Sequence, residues 1–308
     1  MDNLFSNRHQ LVNMQKKHYC INKIRFNKFM IISITTILTL VFLNCSSEEN
    51  NNPTSPDPTD SIPGWDLVWQ DEFDDPTIDL TKWGHEVNGQ GGGNNELQYY
   101  TDREINSLID NGKLAIRALK ETYTGPDGTR EYTSARLRTK NKGDWKYGRF
   151  EIRAKLPLGQ GLWPAIWMLP TDWVYGGWAA SGEIDIMELL GQDPQKVYGT
   201  LHYGGQWPNN VQTGESYSLS IGSFSSTYHT FTLEWEENEI RWYVDGTLYT
   251  TQTSWYSSSA PCPAPFDQRF HIILNVAVGG NWPGNPDNTT TFPQTMLVDF
   301  VRVYKKVE

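Results

Sequence analysis

The chain has 308 residues, with 26 basic and 36 acidic side chains and a net charge of −10. An acidic chain is repelled by phosphate backbones and anionic lipid surfaces, which argues against nucleic-acid or membrane-surface binding. The three cysteines, Cys20, Cys45 and Cys262, are too few and too scattered for a disulfide framework, a zinc cluster or a redox pair.

The first feature in chain order is a basic N-terminus. Arg8, Lys16, Lys17, Lys23, Arg25 and Lys28 face a single acid, Asp2. An uncharged apolar run of 15 residues follows, from Phe29 to Leu43. A membrane-spanning helix needs about 20 such residues. A basic stretch before a shorter apolar run is instead the pattern of an export signal. Met14 and Met30 are alternative starts, although Met30 would remove the basic flank. The run ends at Cys45, ahead of "SSEENNNPTSPDPTD". This order resembles a bacterial lipoprotein signal, in which Cys45 becomes the lipidated first residue. Asn44 departs from the small residue usual there, and an ordinary signal peptide with a secreted product is the alternative. The acidic "SSEEN" resembles the surface-export tag of Bacteroidetes lipoproteins. The expected organisation is therefore a signal peptide over 1–44, a disordered tether over 45–62 and one domain over 63–308. The tether is too polar to bury a core. Removing the six bases and one acid before Cys45 leaves 20 basic and 35 acidic residues, a net charge of −15. Only Cys262 lies within the domain, so no disulfide can form inside it.

The domain reads as β-structure nearly throughout. "EINSLID" and "NGKLAIRALKE" meet at Asn111-Gly112, a type I′ hairpin signal. "YGRFEIRAKLP" alternates Phe150 and Ile152 with Glu151 and Arg153. "HTFTLEW" and "EIRWYVDGTLY" alternate likewise, with turns at Glu237-Asn238 and Asp245-Gly246. "RFHIILNVAVGG" is nearly all apolar, as a strand buried on both faces should be. "QTMLVDFVRVYKK" closes the chain. Many short strands with Gly- and Pro-rich turns predict a sandwich or barrel. "GQGGGNN" is glycine-rich but lacks the Lys-Ser/Thr of a phosphate loop, and "NTT" at 288–290 fits a glycosylation acceptor that means little in a bacterial exported chain.

All 13 tryptophans lie beyond residue 64. Several sit in turn-rich segments, "GGWAASG", "GGQWPNN" and "GGNWPGN". Such rings suit the faces of sugars, which present C–H patches ringed by hydroxyls, or they pack loops onto the sheets.

The stretch "GEIDIMELLG" places Glu183, Asp185 and Glu188 close together. Side chains two apart share a face of a strand, so Glu183 and Asp185 do. Strict alternation would turn Glu188 to the other face. A one-residue β-bulge between Asp185 and Glu188 restores it. Three neighbouring carboxylates repel one another, and at least one pKa must rise. Separated pKa values are what acid/base chemistry requires. The bland reading is an edge strand with solvated charges. A metal site of three acids is the other alternative, without an EF-hand-type loop nearby.

The stretch resembles the active-site strand of glycoside hydrolase family 16, with the Glu-x-Asp-x-x-Glu spacing of its laminarinase branch. The lichenase branch lacks the extra residue. The resemblance covers nearly the whole domain, through "WQDEFD", "GGGNNELQYYT", "TSARLRTK", "YGRFEIRAKLP", "GLWPAIWMLP", "HTFTLEW", "WYVDG" and "NVAVGGNWPG". Gln192 departs from the family signature, beyond the acids. The resemblance implies an all-β jelly-roll sandwich, the concanavalin A-like lectin/glucanase fold, with a concave substrate cleft. It implies retaining endo-hydrolysis of a β-1,3-glucan, laminarin-like or of mixed β-1,3/1,4 linkage. Glu183 would be the nucleophile, Glu188 the acid/base and Asp185 the assisting residue. Asn94 and Arg136 would bind sugar hydroxyls. Trp163 and Trp167 would line the donor side, and Trp282 the opposite wall. His202 would lie near the acid/base. By residue type alone, His202 is also a core histidine and Arg136 a solvated charge. A structural calcium would be held by Glu72, the Gly112 carbonyl and Asp299, two surface acids being the alternative; the chemistry needs no cofactor. The protein would be a monomer, in contact with membrane only through its lipid anchor on the outer membrane or cell surface. Two other readings stay open: an algal galactanase of agarase or carrageenase type, and a non-catalytic β-glucan-binding protein. Trp173 and Trp178, in the 170–181 loop, are expected to shape the donor subsites, so that alanine at both would shift the product pattern without abolishing activity.

Overall fold

A computed structural model describes residues 62–308. The expected signal peptide, Cys45 and nearly all of the tether lie outside them. The fold is an all-β sandwich of one ten-stranded and one eight-stranded sheet, with one 3-10 turn at Gly91–Gly93. Neighbouring strands come from distant parts of the chain. Gln294–Lys306, for example, pairs with Trp65–Asp71, Leu114–Gly125 and Gly148–Lys155. This is the crossed connectivity of a jelly roll.

Local chemistry sets the hairpins. Asn111 and Gly112 have φ of 51° and 70°, the left-handed values a type I′ turn demands, and they join Ser107–Ile109 to Leu114–Gly125. Asp245 and Gly246, at 48° and 75°, do the same between Glu239–Val244 and Thr247–Gln252. Glu237 and Asn238 also make a two-residue connection, but without positive φ.

Alternation decides what reaches the core. Phe150 and Ile152 are fully buried between the sheets. On the other face of the same strand, Arg149 bonds Glu151 and Glu234. Phe270–Val278 is buried at every position. One of its faces meets the core, and the other lies under a cleft lined by Asn275 and Ala277. Trp242 of the larger sheet crosses the core and donates its indole N–H to the Asp185 carbonyl at 2.8 Å. That bond satisfies a backbone group beside the irregular part of the acidic strand.

One expectation needs correction. Glu72 and Asp299 do not form a calcium site with the Gly112 carbonyl. Both Glu72 oxygens are held by Arg302, at 2.7 and 2.8 Å. Asp299, 3% exposed, is held by Lys113 at 2.5 Å and by Arg153. Basic side chains already supply the positive charge, so the donor set does not fit a calcium ion.

Candidate active site

The acids lie on Glu183–Leu189, an inner strand of the eight-stranded sheet. Against Lys196–Gly204, Glu183 faces His202, Asp185 faces Thr200 and Glu188 faces Tyr198. Three residues thus span what two span opposite. This is the expected bulge, and the register against Leu162–Pro170 shifts at the same place. Its packing consequence is that Ile186 and Met187 are both buried, while the three acids all line one cleft.

The cleft has a volume of about 760 Å³. Its floor comes from strands 183–189, 162–170, 270–278 and 136–138, and its rims from loops. Trp163 donates its indole N–H to Glu188 Oε1 at 3.0 Å. Trp178 donates to Glu183 Oε2 at 2.7 Å. Each outer acid therefore holds one indole donor. Asp185, between them, is 2% exposed.

His202 contacts Glu183 and Asp185 directly, with Nε2 3.6 Å from Glu183 Oε1 and 3.1 Å from Asp185 Oδ2, and its charge also acts on Glu188. The pairing of Glu183 with His202 across the strands dictates this. The tryptophans require a correction. Trp282 packs edge-on against Trp163, with ring centroids 5.4 Å apart, and against Tyr198 at 5.1 Å. Trp163 and Trp282 are one wall, at the Glu188 end. Trp167 sits deeper and donates its N–H to Asn275 Oδ1 at 2.7 Å. Trp173, Trp178 and Trp207 line the cleft as well, Trp207 being 72% exposed.

Arg136 is neither solvated nor free. It is 9% exposed, pairs with Glu86 at 3.3 Å and Glu96 at 3.8 Å, and lies over the rings of Tyr100 and Trp167. Asn94 lines the cleft and accepts the Asn281 N–H on its carbonyl. Sequence reasoning missed Glu96, Asn275 and Asn281 as cleft residues. For Glu96 a signal was present. Gly92 of "GQGGGNN" lies against that carboxylate, and a Cβ on it would sit 2.1 Å from Glu96 Oε1.

Burial raises the pKa of all three acids. For Glu183, repulsion from Asp185 adds to it, while His202 and the Trp178 N–H oppose it. For Glu188, burial dominates and Asp185 adds, while His202 and the Trp163 N–H oppose them; both glutamates reach about 8. The trio therefore keeps at least one proton at neutral pH. The stability consequence has a definite sign. Below the ordinary carboxylate pKa of 4.5, Glu188 is protonated both folded and unfolded and costs nothing. Stability is lost as pH rises through the window up to about 8. Glu188→Gln removes that loss. Its thermal midpoint is expected above wild type at pH 8 and equal to it at pH 4, as read by calorimetry at both values.

Two carboxyls flanking a sugar-sized cleft, each holding an indole N–H and each raised by burial toward neutral pH, are equipped for glycosyl transfer. Comparison with known proteins agrees. The sequence pattern of the glycosyl hydrolases family 16 matches residues 93–301, which include all three acids. A glucan endo-1,3-β-glucosidase A1 of Niallia circulans is 46% identical over 294 residues, covering 86% of this chain and 43% of that longer protein. A β-glucanase of Rhodothermus marinus is 43% identical, covering 89% of this chain and 95% of its own. The laminarinase catalytic domain of Thermotoga petrophila superposes with a TM-score of 0.72 at 45% identity, covering 79% of this chain and 99% of that domain. With the match extending through both sheets and the cleft between their loops, the chain belongs to glycosyl hydrolases family 16.

Proposed function

We propose that this protein is a retaining endo-β-1,3-glucanase of laminarinase type. The observation that carries the proposal is the bulge, which sets Glu183, Asp185 and Glu188 on the cleft face with an indole donor on each outer acid. Glu188, protonated, gives its proton to the departing glycosidic oxygen while Glu183 attacks the anomeric carbon. Water, deprotonated by Glu188, then cleaves the glycosyl ester and frees Glu183. Esterification removes the charge of Glu183, so Glu188 releases its proton more easily when it must act as a base. Asp185 and His202 position and balance the nucleophile.

The substrate reading rests on the printed activities of the relatives and on the cleft lining. Rings at both ends offer faces for neutral sugars. Arg136 is the single base among the cleft-lining residues, and Glu86 and Glu96 already pair with it. A sulfated galactan would meet acids instead of free cations, which disfavours the carrageenase reading. A non-catalytic binding protein has no use for three adjacent acids lining its cleft. The test is reducing-sugar release from laminarin, barley glucan, agarose and carrageenan, with Glu183→Ser as control. Laminarin hydrolysis that is lost in the variant is expected. Activity on a galactan alone overturns the substrate, and laminarin binding without hydrolysis overturns the reaction.

Trp178 does more than shape a subsite, which revises the expectation for its alanine variant. Its N–H stabilises the anion of Glu183. Hydrogen bonds to charged groups contribute about 1.5–3 kcal/mol. Trp178→Phe keeps most of the ring and loses the donor, so kcat should fall roughly 10- to 100-fold. The pKa of Glu183 rises with that loss, so the acid limb of the kcat/KM profile moves to higher pH. A changed product pattern with kcat and the acid limb intact contradicts this. Trp173→Ala, without such a bond, is expected to alter the products alone.

The order of basic stretch, apolar run and Cys45 supports lipid anchoring at the cell surface. Cys45→Ala should release the protein from the membrane fraction, and an unchanged distribution would favour an ordinary secreted form.

A further inference from the structure

We propose that Glu183, Asp185 and His202 form a binding site for a divalent transition-metal ion of the zinc or copper class, and that occupancy blocks the nucleophile. Among the described residues this is the one group of three such side chains whose ligand atoms all lie within 4.8 Å of one another. His202 Nε2 is 3.1 Å from Asp185 Oδ2 and 3.6 Å from Glu183 Oε1. Zinc bonds to nitrogen and oxygen are about 2.0–2.2 Å long, which places ligand atoms on one ion about 3–4 Å apart. The two separations already have that size.

A second observation is independent of the clustering. Asp185 is 2% exposed, yet its Oδ2 takes part in no hydrogen bond. Its contact with His202 at 3.1 Å is an ion pair only when the imidazole is protonated, and a buried carboxylate oxygen without a hydrogen-bond donor is costly. A cation between the two satisfies both. Glu183 divides its oxygens suitably: Oε2 receives the Trp178 N–H and Oε1 faces His202. The cleft side remains open for water on the ion.

The donor set selects the metal. One imidazole and two carboxylates suit zinc, copper or nickel, whereas calcium and magnesium prefer oxygen alone. His202 Nδ1 has no partner to orient the ring. Tight metal sites supply such a partner, so binding here is reversible and of moderate strength. The bound ion takes the Glu183 lone pair and opposes the positive charge that develops on the sugar. The inhibitory half of the proposal rests on the glucanase reading, and the binding half does not.

The test is calorimetric titration of the purified protein with zinc chloride, beside laminarin hydrolysis over the same concentrations. One saturable site reversed by EDTA is expected, with activity lost in the same range and magnesium without effect. His202→Gln should weaken zinc binding at least tenfold, and Asp185→Asn should act likewise if His202→Gln fails to fold. Glu188→Gln, outside the set, should keep the wild-type affinity although inactive. No zinc binding, or equal affinity in wild type and a folded His202→Gln, overturns the inference. Zinc binding without any hydrolysis leaves the site standing and removes the glucanase reading instead.

Discussion

Replacing Glu183 by glycine is expected to abolish laminarin hydrolysis, and azide is expected to restore turnover with formation of an α-glycosyl azide. Loss of a covalent nucleophile costs roughly 10⁴- to 10⁶-fold. The glycine leaves a gap beneath the anomeric carbon, beside the Trp178 N–H and His202. A small anion fills it and attacks from the face that Glu183 occupied. Glu188 remains to protonate the leaving oxygen, so one displacement occurs and the product is inverted. An activated substrate such as a β-glucosyl fluoride makes the rescue readable. A β-azide from this variant would contradict the assignment of Glu183.

Glu188→Gly is expected to behave differently. Hydrolysis of laminarin, whose sugar leaving group needs a proton, should fall about 10²- to 10⁴-fold. An aryl β-glucoside with an acidic phenol needs no proton, so its first step should stay fast and the glycosyl-enzyme should accumulate. Azide then attacks that intermediate, and the product is the β-glycosyl azide, formed by two inversions. The basic limb of the laminarin pH profile should also disappear, because the group raised to about 8 by burial is gone. Equal losses on both substrates would deny Glu188 its acid role.

The parts of this molecule legible in its sequence are those governed by local rules. The period of two in "YGRFEIRAKLP" fixed which residues enter the core, and Asn-Gly and Asp-Gly fixed two hairpins. The bulge was legible because an odd spacing of three acids has one simple geometric remedy. What escaped depends on contacts between distant segments. Glu96 is 40 residues from Arg136, and only the folded sheet brings them together. The shared wall of Trp163 and Trp282 arises from a loop that follows the strand paired with Trp163. The direct contacts of His202 with Glu183 and Asp185 follow from strand register, which pairs His202 with Glu183. The calcium expectation failed because the charges of Lys113, Arg153 and Arg302, ordinary in sequence, converge on the carboxylates assigned to the ion.

The central claim is that Glu183 and Glu188 act in turn on one anomeric carbon, which requires overall retention. Proton NMR of laminarin hydrolysis, recorded before mutarotation, tests this most directly. The account predicts that the new reducing end appears first as the β-anomer, with the α-anomer growing in later. Initial release of the α-anomer would mean a single displacement by water, and Glu183 would then be a base and not a nucleophile.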